Sequence, residues 1–184
     1  MLNSVKKELS GGRLGMNLEQ VAAVEEKWLN KQRNLVGDRE ALYERDGVYA
    51  AWRDVFEQYV ALARQGDLEA LKRAVFLVWA ECSMGHLMTG IRDLDEATAR
   101  ETLALADKLV RDGRLDAELQ WMLSCYYLVE PSYLDRFEDL DALKQASGVN
   151  PFEYRQRCLE VSFDHRGQMG AYWKTQQGHL RRWR

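Results

Sequence analysis

The chain has 184 residues, a formal net charge of −3 and an apolar fraction of 46%, a composition that predicts a globular protein and excludes one that is disordered throughout. A domain of this length buries about 70% of the surface that its unfolded chain would expose, so it needs neither disulfides nor metals to fold. The sequence has no run of roughly 18 apolar residues that could span a bilayer and no signal-peptide pattern, so we expect a cytoplasmic protein without a transmembrane segment.

Helix-forming residues dominate the sequence, which has only two prolines. We therefore predict an all-α protein, a single-domain helical bundle of about seven helices. Residues 1–16, with three glycines, are predicted to be a flexible N-terminal segment, and residues 17–165 to form the all-α domain. Residues 166–184 have three glycines and weak periodicity, and we interpret them as a basic aromatic tail, extended or docked on the body as an arm.

Capping side chains predict where several helices begin. Asn17 and Gln20 have the spacing of a capping box before the first helix. Later helices are expected to begin after aspartates in the same role, at Asp38, Asp67, Asp93 or Asp95, and Asp116. Two further starts are predicted at Ser132 with Asp135, and at Asn150 with Pro151 and Glu153.

The segment AVFLVWAECSMGHLMTG, from Ala74 to Gly90, is apolar almost all round as far as Cys82. A helix that is apolar on every side is enclosed by other helices, so this part is predicted to be core and the rest a connection between helices. Cys82, Cys125 and Cys158 all lie in apolar helical patterns, which is typical of buried, unreactive thiols.

A weak internal echo relates this segment to a later one. When the chain is shifted by 46 residues, "LVWAECSMGHLMTGIRDLD" aligns with "LSCYYLVEPSYLDRFEDLD" with four identities, of which Leu77 with Leu123 is the first. The offset is in the range of two-helix repeats, so a short stack of such repeats is one arrangement that the bundle could take.

Charge is distributed unevenly along the chain. From Asp93 to Asp141 there are 13 acidic and 5 basic side chains, a net charge of −8, whereas residues 155–184 carry 7 basic and 2 acidic side chains, a net charge of +5. The acidic region favours a non-catalytic protein-binding module, of the adaptor or toxin-neutralising type, that binds a protein partner through Asp112, Asp116 and Glu118. The C-terminal HLRRWR is too small a basic patch to favour nucleic acid, and we expect it to dock on the acidic helices.

The alternative is an enzyme or small-ligand binder. If the echo is structural, the loops 83–92 and 129–138 lie together and form a pocket, in which His86 acts with Glu81 or Glu130 and lies near Tyr133. A histidine in a loop between methionines is the residue in this region that most favours binding a ligand. The sequence has no phosphate loop, nucleophile elbow or metal-ligand spacing, so it predicts no cofactor and no metal, and it carries no signal for an oligomeric state.

Overall fold

A computed structural model describes residues 15–182, in which all regular structure is helical. The body consists of six long helices, α1 (Leu18–Arg33), α3 (Val48–Arg64), α4 (Leu68–Ser83), α6 (Glu96–Arg111), α7 (Ala117–Val129) and α11 (Gly167–Arg182). The connections contain α2 (Arg39–Arg45), α5 (His86–Thr89), α8 (Ser132–Asp135), α9 (Asp141–Ser147), α10 (Arg155–Glu160) and a 3₁₀ helix at Pro151–Tyr154. The all-α prediction is confirmed; the described residues hold eleven α-helices instead of about seven because short helices occupy the connections.

Most predicted helix starts are found where local chemistry places them. Asn17 and Gln20 form the complete capping box, and each of four aspartates accepts a hydrogen bond from a backbone N–H in the first turn of its helix: Asp38, Asp67, Asp95 and Asp116. One expectation fails, because Ser132 lies inside α8 and makes no side-chain cap. The start after Asn150 is present: a helix begins at Pro151, and Asn150 Oδ1 accepts from the backbone N–H of Phe152 at 3.1 Å. The first turn there is a 3₁₀ helix that continues into α10.

Helix α4 lies at the centre of the protein. Every residue from 70 to 80 is buried, because α3, α6, α7, α8 and α11 all pack against this helix. The predicted enclosed helix is therefore confirmed. The three cysteines are also buried or half-buried, and burial raises the thiol pKa of Cys125 and Cys158 to about 12. Such thiols stay protonated at neutral pH.

The sequence echo corresponds to a repeated order of helices. Helix α4 ends at Ser83 and α7 ends at Val129, 46 residues later, and α5 and α8 are separated by the same interval. The aligned Leu77 and Leu123 are both buried in the core. A long helix, a four-residue helix and a third helix thus occur twice in the same order, although α9 has 7 residues where α6 has 16.

The C-terminal segment is part of the domain. Residues 167–182 form α11 where the sequence predicts an extended tail or docked arm. Its inner side chains Met169 and Trp173 are each 1% exposed. Helix α11 packs against α1, α4 and α10, so the core continues past the boundary predicted at residue 165. Its glycines interrupt the apolar periodicity, so the sequence pattern does not predict this helix. Trp183 and Arg184, and the N-terminal segment up to residue 14, lie outside the described residues.

None of the helices described is long and apolar enough to cross a membrane.

Candidate functional site

A cleft of about 490 Å³ opens between α1, α2 and α11, with α4 behind it and α5 at its edge. Its volume is in the range of sites for small organic ligands. The wall is mostly apolar. The lining residues are Leu29, Gln32, Arg33, Arg39, Tyr43, Phe76, Met84, Met88, Gln168, Ala171, Tyr172, Thr175 and Gln176.

The deep part of the cleft is formed by side chains that the core holds in place. Leu29, Tyr43 and Phe76 are each at most 7% exposed. Phe76 also packs against Tyr172 of α11, with ring centroids 5.8 Å apart. At the outer edge Met88 is 71% exposed, and a flexible thioether side chain there adapts readily to the shape of a ligand.

Two glutamine amides form the polar part of the cleft wall. Gln32 Nε2 and Gln168 Nε2 both donate to the carbonyl oxygen of Thr89, at 3.1 and 2.9 Å. Gln32 Oε1 accepts from the indole of Trp52, but Gln168 Oε1 is buried and has no hydrogen-bond partner among the described residues. A buried acceptor without a partner is unfavourable, and this one belongs to a residue of the cleft lining.

The backbone beside these amides requires glycine. Gly90 follows α5 with a φ of +72°, and a Cβ atom there would lie 2.1 Å from Gln32 Nε2. The left-handed conformation and the close approach together keep the Thr89 carbonyl within reach of both glutamines.

The charged residues of the cleft are both arginines. Arg33 and Arg39 line it, and the lining includes no aspartate or glutamate, although acidic residues outnumber basic ones in the chain. Arg39 donates from Nη1 to the carbonyl oxygen of Leu87 and pairs with no carboxylate within the described part of the chain. Arg33 lies 3.7 Å from the exposed carboxylate of Glu26.

The cleft lining also contains phenolic hydroxyl groups. The hydroxyl group of Tyr43 donates to the Leu87 carbonyl, and burial raises the pKa of Tyr172 to about 12. The Tyr172 phenol therefore stays protonated near neutral pH. No cysteine or histidine lines the cleft, and no group of three or more acidic, histidine or cysteine side chains within residues 15–182 could hold a metal ion.

Helix α11, which forms one wall of the cleft, is held by a buried polar network. Glu25 of α1 is 1% exposed and accepts hydrogen bonds from Tyr59, from Arg73 and from the backbone N–H of Gln168, at 2.5, 3.1 and 2.9 Å. A Cβ atom at Gly167 would lie 2.0 Å from the Glu25 carboxylate, so only glycine allows this approach. Glu25 thus joins α1, α3, α4 and the start of α11.

The structure does not place His86 where the sequence led us to expect it. Its Nε2 atom is 2.9 Å from Glu40 Oε2, and this hydrogen bond lowers the pKa of Glu40. Arg92 also pairs with Glu40, so the group links α2 to the connection after α4. His86 therefore lies outside the cleft lining, while its neighbours Met84 and Met88 lie within it.

The proposed partners of His86 have structural roles elsewhere. Glu81 accepts a hydrogen bond from the backbone N–H of Leu94 at 2.7 Å, and Glu130 accepts one from Ser132. Tyr133 is fully buried. The cleft thus uses the predicted loop 83–92 but not the loop 129–138; the helices α1, α2, α4 and α11 supply its other walls.

The acidic residues predicted to bind a partner protein are engaged within the chain. Lys72, which is buried, lies 2.7 Å from Asp116 and 3.4 Å from Glu118. The other oxygen of Glu118 lies 2.6 Å from Arg166. Asp116 also caps α7, and Asp112 pairs with Lys108 one turn earlier. Much of the negative charge of this region therefore neutralises cations of the same molecule.

We expect Glu118→Ala to lower the free energy of unfolding by about 2 kcal/mol, because it leaves Lys72 and Arg166 with fewer partners in a partly buried site. Asp112→Ala removes a more exposed pair and is expected to leave the free energy of unfolding unchanged. Urea denaturation of both variants compares the two roles. Equal stabilities would show that Glu118 is merely a surface carboxylate.

Comparison with known proteins finds no match: no family model, no curated protein and no solved structure is similar to the chain.

Proposed function

We propose that this protein binds a small organic molecule with a mainly apolar body in the cleft between α1, α2 and α11. The observation that carries the proposal is the combination of an apolar, partly aromatic wall with the unpartnered buried acceptor Gln168 Oε1. Ligand sites typically combine apolar surface with a few fixed polar groups, because the first supplies affinity and the second fixes orientation.

The rigidity of the cleft wall also supports this function. Gln32 and Gln168 are both fixed on the Thr89 carbonyl, and Glu25 fixes the start of α11. A wall that is ordered before the ligand arrives loses little entropy on binding. The Tyr43 and Thr175 hydroxyl groups of the lining donate to the carbonyl oxygens of Leu87 and Ala171, so the proposal is binding.

Partner binding through the acidic region remains a separate prediction. Because Asp116 and Glu118 stabilise Lys72 and Arg166, reversing their charges would disturb the fold as well as any interface. Of the three residues first considered, Asp112 is the one whose replacement would test an interface without removing a buried ion pair.

Titration with N-phenyl-1-naphthylamine, an uncharged aromatic probe whose fluorescence rises in apolar surroundings, tests the ligand-binding proposal. We expect saturable binding to the wild-type protein. Ala171→Trp places a large side chain at an exposed position of the cleft wall and should weaken binding at least about tenfold, or about 1.4 kcal/mol.

Ala50→Trp is the matched control, since Ala50 is exposed on α3 and does not line the cleft. This variant should bind the probe as the wild type does. The proposal is wrong if the wild-type protein shows no saturable binding, or if Ala171→Trp and Ala50→Trp bind the probe equally well.

A further inference from the structure

We infer that the natural ligand is an amphipathic organic anion whose negative group pairs with Arg39 and Arg33 at the mouth of the cleft. The inference rests on the proposed function and specifies the chemical class of the ligand. It assigns the apolar body of the ligand to the aromatic wall and its charged end to the two arginines.

The charges of the cleft lining favour an anionic ligand over a cationic one. Two guanidinium groups line the cleft, and the lining contains no carboxylate, in a chain whose net charge is −3. The one carboxylate paired with either arginine among the described residues is the exposed Glu26, 3.7 Å from Arg33. An anionic group bound at the cleft would gain charge-assisted hydrogen bonds from the two guanidinium groups. A cationic ligand would meet like charge there instead.

Arg39 is held in place by a backbone carbonyl and still has hydrogen-bond donors available for a ligand. Arg39 uses one Nη atom for the Leu87 carbonyl, which fixes the position of the side chain but leaves its charge without a carboxylate partner in the described residues. A guanidinium held in this way has donors available for a bidentate contact with an anionic group. Arg33 is held less firmly, since its pair with Glu26 is long and exposed on both sides.

The two arginines lie at the exposed end of the cleft. Arg33 is at the end of α1 and Arg39 at the start of α2, and both are exposed, whereas Leu29, Tyr43 and Phe76 in the same lining are buried. The cleft therefore has a charged outer end and an apolar inner part. A ligand of matching polarity has one ionised end and an apolar remainder.

Isothermal titration with decanoate and with decan-1-ol at neutral pH tests this assignment, because the two probes share a chain and differ in charge. We expect decanoate to bind at least about tenfold more tightly than the alcohol, as a hydrogen bond to a charged group contributes more than a neutral one. The difference should decrease at high salt, since exposed charges are screened.

Arg39→Gln should remove about a tenfold factor from the decanoate affinity and leave the affinity for decan-1-ol unchanged. Arg114→Gln, at an exposed position outside the cleft lining, should change neither affinity. Because the alcohol reports on the shape of the cleft, a merely structural role for Arg39 would weaken both probes.

The other outcomes of these titrations would overturn either the anionic class of the ligand or the ligand-binding function itself. If both probes bind equally, or if Arg39→Gln weakens both equally, the anionic class is wrong and the proposed ligand-binding function stands. If neither of these probes nor the naphthylamine binds the wild-type protein, the proposed function fails and the anionic class fails with it.

Discussion

Replacing Glu25 with alanine is expected to lower the free energy of unfolding by about 3–5 kcal/mol, the range typical for breaking a buried ion pair. The carboxylate is 1% exposed and accepts hydrogen bonds from Tyr59, Arg73 and the backbone N–H of Gln168. Alanine would leave the Tyr59 hydroxyl group and the Gln168 N–H without their acceptor in a buried site, and Arg73 with Glu69 as its remaining carboxylate partner. Urea denaturation measures the loss directly.

Two companion variants separate the possible causes of this loss. Glu25→Gln keeps an oxygen that can accept from Gln168 but removes the charge opposite Arg73, so its stability should fall between those of the wild type and Glu25→Ala. Glu26→Ala removes the exposed carboxylate next in sequence and should leave stability unchanged. If Glu25→Ala is as stable as Glu26→Ala, the network does not hold α1 and α11 together.

Replacing Trp173 with alanine is expected to cost about 3–5 kcal/mol as well, but for a different reason. The indole is 1% exposed and packs against Trp121, with ring centroids 4.1 Å apart, and its Nε1 atom donates to the buried hydroxyl group of Tyr126 at 2.9 Å. The variant would leave a cavity in the aromatic core and an unpaired hydroxyl group. A lower denaturation midpoint in urea is the expected result.

His179→Ala is the control for Trp173→Ala, because His179 is exposed on the same helix. Its midpoint should equal that of the wild type. A Trp173→Ala variant that unfolds at the wild-type urea concentration would mean that α11 is an appendage and not part of the core.

The sequence predicted those features of the fold that depend on short-range chemistry. Asn17, Asp38, Asp67 and Asp116 mark helix starts because a capping side chain acts on the backbone within three residues of itself. The enclosed α4 was equally predictable, since an apolar surface on every side of a helix must be covered by other helices.

Helix α11 and the cleft could not be predicted in the same way. The cleft wall combines residues from both ends of the chain, such as Gln32 and Gln168, and their shared acceptor Thr89 is distant from both in sequence. One signal was present in α1, where Glu25 and Gln32 lie in register with the buried Val21 and Leu29. Polar residues on a buried stripe are unusual, and they mark the places where this helix makes specific hydrogen bonds.

The acidic region shows why charge in a sequence is weak evidence for a binding surface. The sequence predicts Asp116 and Glu118 to bind a partner protein because negative charge accumulates between residues 93 and 141. Their partners Lys72 and Arg166 come from helices distant in sequence, so the neutralisation becomes visible only when the chain is folded.

The pairing of α1 with α11 has a consequence for the order in which the protein matures during synthesis. Glu25 and Gln168 are 143 residues apart, yet their hydrogen bond fixes one wall of the cleft against the other. A ribosome releases α1 and α3, which pack against each other, long before α11. The part of α1 that contacts α11 therefore stays uncovered until α11 emerges. The cleft is then among the last features to form, and a molecule bound in it would hold together the first and last helices of the described chain.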